Sequence, residues 1–548
     1  MFLRYMRCVL FFFFIFHLLN NDAFAKERAP IQEVVKDLKA YVEQYRELFQ
    51  TPGMAFVIVK DGEVFIETFG QLSLDDPTPV DEATLFQVAS VTKNFTATLI
   101  MRLVEKGILS LDDKVTRYLP DFALANPQAT DDLRVRDLLT HNIGIGNFAG
   151  DSFWHGGLSQ EEVLKAMKDI PLQHPLRTHY GYSNIMVGIA GLVIEKATGK
   201  SLSRVMEEEI FHPLHMDHSS MGYEAAIKTP SLFDRVIGFF KGTQFLKRTQ
   251  HHDIYKGKAK KIPTTPQFFL FPGTSGVNTT PCDMAKWMLF HLSNTKVNDA
   301  IFLSKDSVQT MRTPYADASD VILGAQFPKD RMKKVEIGMG WFMGDFGVEG
   351  NHVSILNQMG GTGGVRGLLS IVPEENLGIA VMCNLGGMRS SLFPEGIVQK
   401  CLDLYLKIKG RDYAKDLHEK FLALRDQSKR YVDTLRLQNP QPHASLSLYE
   451  GHYKNKLYGD VTLKLSPEKT LQMHYRGRTV PLTHINGHHF LCYGAHLGLG
   501  FESDDVCFVE LGMPSFGQKA YGLMISLLDE GENPAFYRET PSNTKPLP

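Results

Sequence analysis

The chain has 548 residues, 43% of them hydrophobic and 22% charged, and a formal net charge of −2 at pH 7. This is enough material for a large core and more than one domain. Its near-neutral charge excludes nucleic-acid binding driven by a basic surface.

Arg4 and Arg7 precede the apolar run VLFFFFIFHLL, and AFA follows at Ala23–Ala25. A basic start, a short apolar stretch and an A-x-A end predict a secretory signal peptide over residues 1–25, cut before Lys26. The protein would then be exported, to a periplasm or outside the cell. The apolar run is short for a membrane span, which makes an uncleaved anchor the weaker alternative. Cys8 lies within the entry to that run, so it does not signal a lipoprotein. Five cysteines remain, Cys282, Cys383, Cys401, Cys492 and Cys507. An odd, scattered set is no disulfide framework. Cys492 and Cys507 fall in one small region and can pair; the others are expected to be buried thiols.

Residues 31–49 read as an amphipathic helix with Ile31, Val34, Val35, Leu38, Tyr41 and Val42 on one side. MAFVIVKDGEVFIETFG (54–70) places two β-rich runs around Asp61-Gly62, a strong hairpin signal. A second two-strand pattern, GLLSIVPEENLGIAVMCN, spans 367–384. Helical patterns lie between them at 133–140, 160–168, 184–198 and 282–293. The predicted fold is α+β: one antiparallel sheet built from distant parts of the chain, flanked by helices, with a helical lobe inserted in the middle. Residues 411–437 are charged and helical in pattern. QNPQPHAS, 438–445, reads as a linker, and short alternating runs beyond it predict a small β-rich domain. The expected organisation is therefore 1–25 leader, 26–437 main domain, 438–445 linker and 446–548 β-rich domain.

The stretch FQVASVTKNFTA (86–97) contains Ser90-x-x-Lys93. The same spacing recurs at Ser293, Ser466 and Ser542, so the flanks have to decide. Ser466 falls in a turn of the β domain, Ser542 in the tail, and Ser293 at a helix end. Ser90 alone precedes an apolar-periodic run, Phe95, Leu99, Leu103 and Val104, closed by Gly107. Residues at i and i+3 share a helix face, so Lys93 can reach the Ser90 hydroxyl. A serine is a poor nucleophile without a base. A lysine is such a base only when burial or nearby charge lowers its pKa.

These residues carry a family resemblance. FQVASVTKNFTATLIMRLVEKGILSLDDKVTRYLPDF, RVRDLLTHNIGIGNF, HYGYSNIMVGIAGLVIEKATGKSL, VNTTPCDMAKWM and GGTGGVRGLLSIVPEENLGIAVMCN resemble the serine β-lactamase-related hydrolases over roughly 30–405. That family includes class C β-lactamases, D-Ala-D-Ala carboxypeptidases, D-aminopeptidases and related esterases. The terminal region, with YEGHYKNKLYGDVTLKL, is similar to a β domain often appended to such enzymes. The resemblance implies that Ser90 is the nucleophile, with Lys93 and Tyr182 as proton-transfer groups, and that Asn184, two residues after Tyr182, holds the substrate amide. A second Tyr-x-Asn at Tyr453–Asn455 lacks these flanks.

The family's Lys-Thr-Gly strand, which has His in place of Lys in some relatives, falls on Gln358, Met359 and Gly360. The cation and hydroxyl are both absent. Gly361 and Ser90 would offer backbone N–H groups as an oxyanion hole. The missing cation argues against recognition of a substrate carboxylate unless Arg366 or Arg389, nearby in sequence, substitutes for it; the commoner reading of either is a surface charge.

No histidine or cysteine spacing matches a metal site, and no cofactor is implied. His141, in LLTHNIG, reads as part of a structural turn. Segment 234–261 holds eight Lys or Arg against two Asp. It reads as a solvated insertion forming a lid, with contact to a membrane surface or anionic glycan as the lesser alternative. The expected protein is an exported serine hydrolase acting on a small-molecule or peptide ester or amide through an acyl-enzyme. The alternatives are a β-lactamase or D-Ala-D-Ala carboxypeptidase, and a non-catalytic binding protein with a relic pocket.

Overall fold

The computed structural model describes residues 27–227, 246–255, 257–293, 296–297, 300–324, 326–386, 392–438, 445–456, 458–493, 506–512, 519–520, 522–525 and 536–538. The expected leader, Arg389, Ser542 and most of the expected linker lie outside the described residues.

The chain enters through helix α1 (Ile31–Arg46), whose buried side chains are the six expected from its periodicity. Strands β1 (Gly53–Lys60), β2 (Glu63–Ser73) and β3 (Asp76–Pro79) follow. The turn between β1 and β2 has positive φ at both Asp61 and Gly62, +52° and +87°. That is the backbone a two-residue hairpin of this kind demands. The other strands of the sheet come from the far end of the domain: β4 (Ala316–Asp317), β5 (Glu336–Gly338), β6 (Trp341–Val348), β7 (Asn351–Thr362), β8 (Val365–Val372) and β9 (Leu377–Cys383). Their order is β4-β5-β6-β7-β8-β9-β1-β2-β3, with antiparallel neighbours.

β1 and β9 are central and apolar almost throughout, as strands covered on both faces must be. Alternation along β1 divides the cores. Met54, Phe56 and Ile58 join the layer of α1 and helix α6 (Phe393–Tyr405). Ala55, Val57 and Val59 face the helical lobe between the two parts of the sheet. The lobe includes α2 (Thr92–Glu105), α3 (Asp151–His155), α4 (Asn184–Thr198) and α5 (Pro281–Leu292). The helix expected at 133–140 is instead a 3₁₀ turn, Val135–Leu139, entered through Asp137, which accepts the Arg134 N–H. Helix α7 (Tyr413–Gln438) is anchored at its start: Tyr41 donates to Asp412, and the Ala414 N–H donates to the Tyr41 hydroxyl.

The C-terminal part is all-β. Its strands are β10 (Gly451–Asn455), β11 (Gly459–Leu465), β12 (Leu471–Tyr475), β13 (Arg478–Pro481), β14 (Thr483–Asn486), β15 (His489–Tyr493), β16 (Val506–Gly512), β17 (Gly522–Ile525) and β18 (Phe536–Arg538). The order β13-β12-β11-β10-β18-β17-β16-β15-β14 puts the two outermost strands next to each other in sequence, separated only by Leu482. The sheet is thus a near-barrel, packed with Tyr453, Tyr475, Met473, Phe490 and Phe536. It also packs on the helical lobe: the rings of Tyr458 and Phe153 lie 5.6 Å apart, within one continuous apolar cluster.

Cys492 stands opposite Cys507 in the register of β15 and β16. Cys383 and Cys401 are buried, and burial pushes their thiols up to about 11 and 12. Cys282 is only half-buried, contrary to expectation. The basic segment is not wholly solvated either. His251, His252 and Asp253 are buried; His252 Nδ1 donates to the Asn384 carbonyl, and its Nε2 accepts the Leu74 N–H and lies 3.1 Å from Ser73 Oγ. Residues 234–245 and 256 of it lie outside the described residues.

A methyl group on Gly62 would meet no neighbouring atom, so its substitution isolates the cost of the left-handed backbone. Gly62→Ala should destabilise the fold by about 1 kcal/mol. Chemical denaturation should show a lower midpoint with an unchanged slope.

Candidate active site

Ser90 stands where a short strand ends and α2 begins. Phe86 and Gln87 pair with Thr279 and Asn278, after which the backbone turns sharply, with Ala89 at φ +46°. Ser90 lies in the 3₁₀ turn Ala89–Val91, just ahead of α2, rather than in its first α-turn. The expected contact is still made: the Lys93 amine lies 2.8 Å from Ser90 Oγ. Lys93 is 1% exposed, so its amine must find partners inside the protein. It donates to Asn184 Oδ1 at 2.8 Å and to the Thr274 carbonyl at 3.3 Å. Burial lowers its pKa to about 7, against a smaller upward pull from Asp151.

Tyr182 covers the amine from the other side. Its ring centroid is 5.1 Å from Lys93 Nζ, and the Ser90 side chain offsets part of the effect of burial on its hydroxyl. Burial raises its pKa, so the ring carries a phenol and not a phenolate at neutral pH. The loop is zipped in place by backbone. The Tyr182 N–H donates to Asn147 Oδ1, the Phe148 N–H to the Tyr182 carbonyl, and the Gly181 N–H to the His141 carbonyl. His141 is the structural turn residue expected. Its Nδ1 accepts the Ser183 N–H, its ring packs on Tyr182, and burial holds it neutral, with a pKa of about 3. Ser183 caps α4 by accepting the Met186 N–H, which makes Asn184 the first residue of that helix.

Asn184 is spoken for on both sides. Besides accepting from Lys93, it donates from Nδ2 to Asp151 Oδ2 at 2.6 Å. Its side chain is thus a link between Lys93 and Asp151, where the resemblance implied a contact with substrate. Sequence reasoning missed Asp151. A lone aspartate in GDSFW carries no motif, and its partner is 33 residues away.

β6 pairs with β7 only as far as Asn357, which leaves the next residues of β7 with an edge open toward the Ser90 turn. Gly360 makes the close approach possible. A Cβ there would lie 2.4 Å from the Val88 carbonyl oxygen and 2.7 Å from the Ser90 nitrogen. Gly361 is the next residue, paired with Arg366 across β8. Gln358 is buried, and its Nε2 donates to the adjacent Met359 carbonyl. Among the described residues, no hydrogen bond joins it to Ser90, Lys93 or Tyr182. Arg366 is not a surface cation: it is 5% exposed and fork-bonded to the buried Glu395. Among the described residues, no group of three or more His, Cys, Asp or Glu side chains is placed to hold a metal ion.

The model of the beta-lactamase family matches residues 38–393, which include Ser90, Lys93, Asp151, Tyr182, Asn184 and Gln358. The chain belongs to the beta-lactamase family. It is a serine hydrolase of that superfamily. Unguisins hydrolase ungD of Aspergillus violaceofuscus is 25% identical over 496 residues, covering 84% of this chain and 83% of that protein. Penicillin-binding protein 4 of Amycolatopsis lactamdurans is 27% identical over 352 residues, covering 63% of this chain and 83% of that one. The fold resembles the octameric penicillin-binding protein homologue from Pyrococcus abyssi, with a TM-score of 0.55 and 21% identity, over 92% of this chain and all of that one. A class C beta-lactamase aligns with a TM-score of 0.52 at 20% identity, over 69% of this chain and 97% of that one.

Burying Lys93 has a stability signature. Its folded pKa of about 7 lies below the ordinary 10.5, so between these values the unfolded chain binds more protons. Stability therefore rises with pH across that window. Lys93→Met should raise the melting temperature most near pH 6 to 7. Its advantage should shrink toward pH 10.5, by up to about 1.4 kcal/mol per pH unit.

Proposed function

We propose that the protein hydrolyses esters or amides through an acyl-enzyme on Ser90. The observation that carries this reading is the buried Lys93 amine, 2.8 Å from Ser90 Oγ and depressed to a pKa of about 7. At neutral pH a large fraction of it is unprotonated. Lys93 takes the hydroxyl proton as Ser90 Oγ bonds to the substrate carbonyl carbon. The carbonyl oxygen becomes an oxyanion, facing the N–H groups of Ser90 and Gly361. As it collapses, the bond to the leaving group breaks and Tyr182 gives its phenolic proton to the departing oxygen or nitrogen. Lys93 then returns a proton to Tyr182. Water releases the acyl group by the reverse sequence. The raised pKa of Tyr182 supports its role as proton donor and leaves Lys93 as the base.

Gln358 supports a neutral substrate. It cannot pair with a carboxylate as a cation does, and Arg366 has its charge balanced by Glu395. The reading therefore favours small neutral acyl esters over penicillins and D-Ala-D-Ala peptides. The names of the penicillin-binding relatives favour the opposite preference. Export remains part of the proposal, on the pattern of residues 1–25.

A fluorophosphonate probe should add once, to the peptide containing Ser90. An adduct persisting in Ser90→Ala would rule out the assignment. The labelling rate should rise with pH through a midpoint near 7, and Lys93→Ala should nearly abolish it. Separately, kcat/KM for a short-chain nitrophenyl ester should exceed that for a chromogenic cephalosporin by about ten- to a hundredfold, the worth of one missing charge-assisted hydrogen bond. A cephalosporin turned over faster than every neutral ester tested would reverse the inference from Gln358.

A further inference from the structure

A neutral lysine amine has two N–H bonds and one lone pair. Three oxygens surround that of Lys93: the Thr274 carbonyl, Asn184 Oδ1 and Ser90 Oγ. The first two can only accept. They take both N–H bonds and leave the lone pair for the Ser90 proton. This holds only while Asn184 presents its oxygen. Rotated by half a turn, the amide would point its NH₂ at the lone pair and compete with Ser90. A carboxylate accepts and does not donate. Asp151, 2.6 Å from Asn184 Nδ2, therefore sets which way the amide faces.

Asp151 opens α3, a helix of only five residues that rests on the C-terminal near-barrel. The next residue, Ser152, shares a hydrogen bond with the Tyr458 hydroxyl at 2.9 Å. Phe153 packs on the Tyr458 ring. Just past the helix, Arg476 Nη1 donates to the Gly157 carbonyl at 3.0 Å, and its Nη2 lies 3.6 Å from Glu162 Oε1. The near-barrel thus grips both ends of the segment that carries Asp151.

We propose that the C-terminal β domain is a working part of the catalytic machinery: it seats α3 so that Asp151 orients Asn184, and Asn184 orients the amine of Lys93. Asp151, Ser152 and Tyr458 are positioning residues; none touches substrate. The inference rests on the proposed roles of Ser90 and Lys93. Around Lys93 the titratable groups are Tyr182, His141 and Asp151. Tyr182 is held as a phenol and His141 as a neutral ring, so Asp151 supplies the charge.

The test measures the rate of fluorophosphonate labelling against pH, with melting temperature alongside, in full-length Asp151→Asn, Asp151→Ala, Ser152→Ala, Tyr458→Phe and the Ser152/Tyr458 double variant. Asp151→Ala should lower the plateau rate at least about tenfold. In Asp151→Asn the midpoint near pH 7 should move to lower pH, because the charge that favours protonated Lys93 is gone. Ser152→Ala and Tyr458→Phe should each lower the plateau, and the double variant should lose no more than the worse of the two, as for one shared bond. Variants that melt earlier yet keep the plateau and midpoint of the unsubstituted chain would overturn the inference, since that is the signature of a purely structural contact. If Asp151→Ala does not fold, the midpoint in Asp151→Asn decides by itself. No labelling of the unsubstituted chain would overturn the Ser90 reading, and this inference with it.

Discussion

Taking one amine out of water constrains much of the rest of this protein. An ammonium group in a medium of low polarity is costly unless it is paired, and the group answers by giving up its proton more readily. Lys93 shows this balance. Around it lie a carbonyl, an amide oxygen and a serine hydroxyl, while the carboxylate of Asp151 reaches it through Asn184. A direct Lys–Asp pair would hold the proton on the amine and remove the base of the proposed mechanism. Spacing the charge one side chain away keeps the amine bound and its proton labile.

The fold delivers these groups from separate places. Ser90 comes from the 3₁₀ turn ahead of α2 and Lys93 from its first turn, Tyr182 from the loop before α4 and Asn184 from its start, Thr274 from the helical turn Pro272–Ser275, and the glycines from β7. Two features let them meet. The left-handed Ala89 turns the chain so that Ser90 faces the strand edge, and Gly360 has no side chain to block it. α2 and α4 pack on the same face of the sheet as Ala55, Val57 and Val59, so the lobe and the sheet share one core. The site lies along that seam.

Much of this was legible in the sequence because it depends on local spacing. The i, i+3 relation of Ser90 and Lys93, the apolar face of α1 and the Asp61-Gly62 hairpin are all set within a few residues. Tyr182, Gln358 and the glycines became visible only through the family resemblance. What was not legible depends on partners distant in the chain. Arg366 looked like a free cation because Glu395 lies 29 residues on and reaches it only through the packing of α6. The link from Asn184 to Asp151 was hidden because nothing nearby in sequence announces Asp151. The basic stretch around His251 and His252 looked solvated, since its charge count does not reveal that both histidines are buried, His252 against the turn between β2 and β3. The grip of Tyr458 on Ser152 spans 306 residues, beyond the reach of any pattern.

The central claim is that Lys93 is close to half-deprotonated at neutral pH. Its most direct test is an NMR titration of the lysine side chains, following the Cε resonance assigned through Lys93→Arg. The account predicts one lysine titrating near pH 7, apart from the rest. A Lys93 resonance that stays in its protonated position to pH 10 would contradict it, and would leave Ser90 without its base.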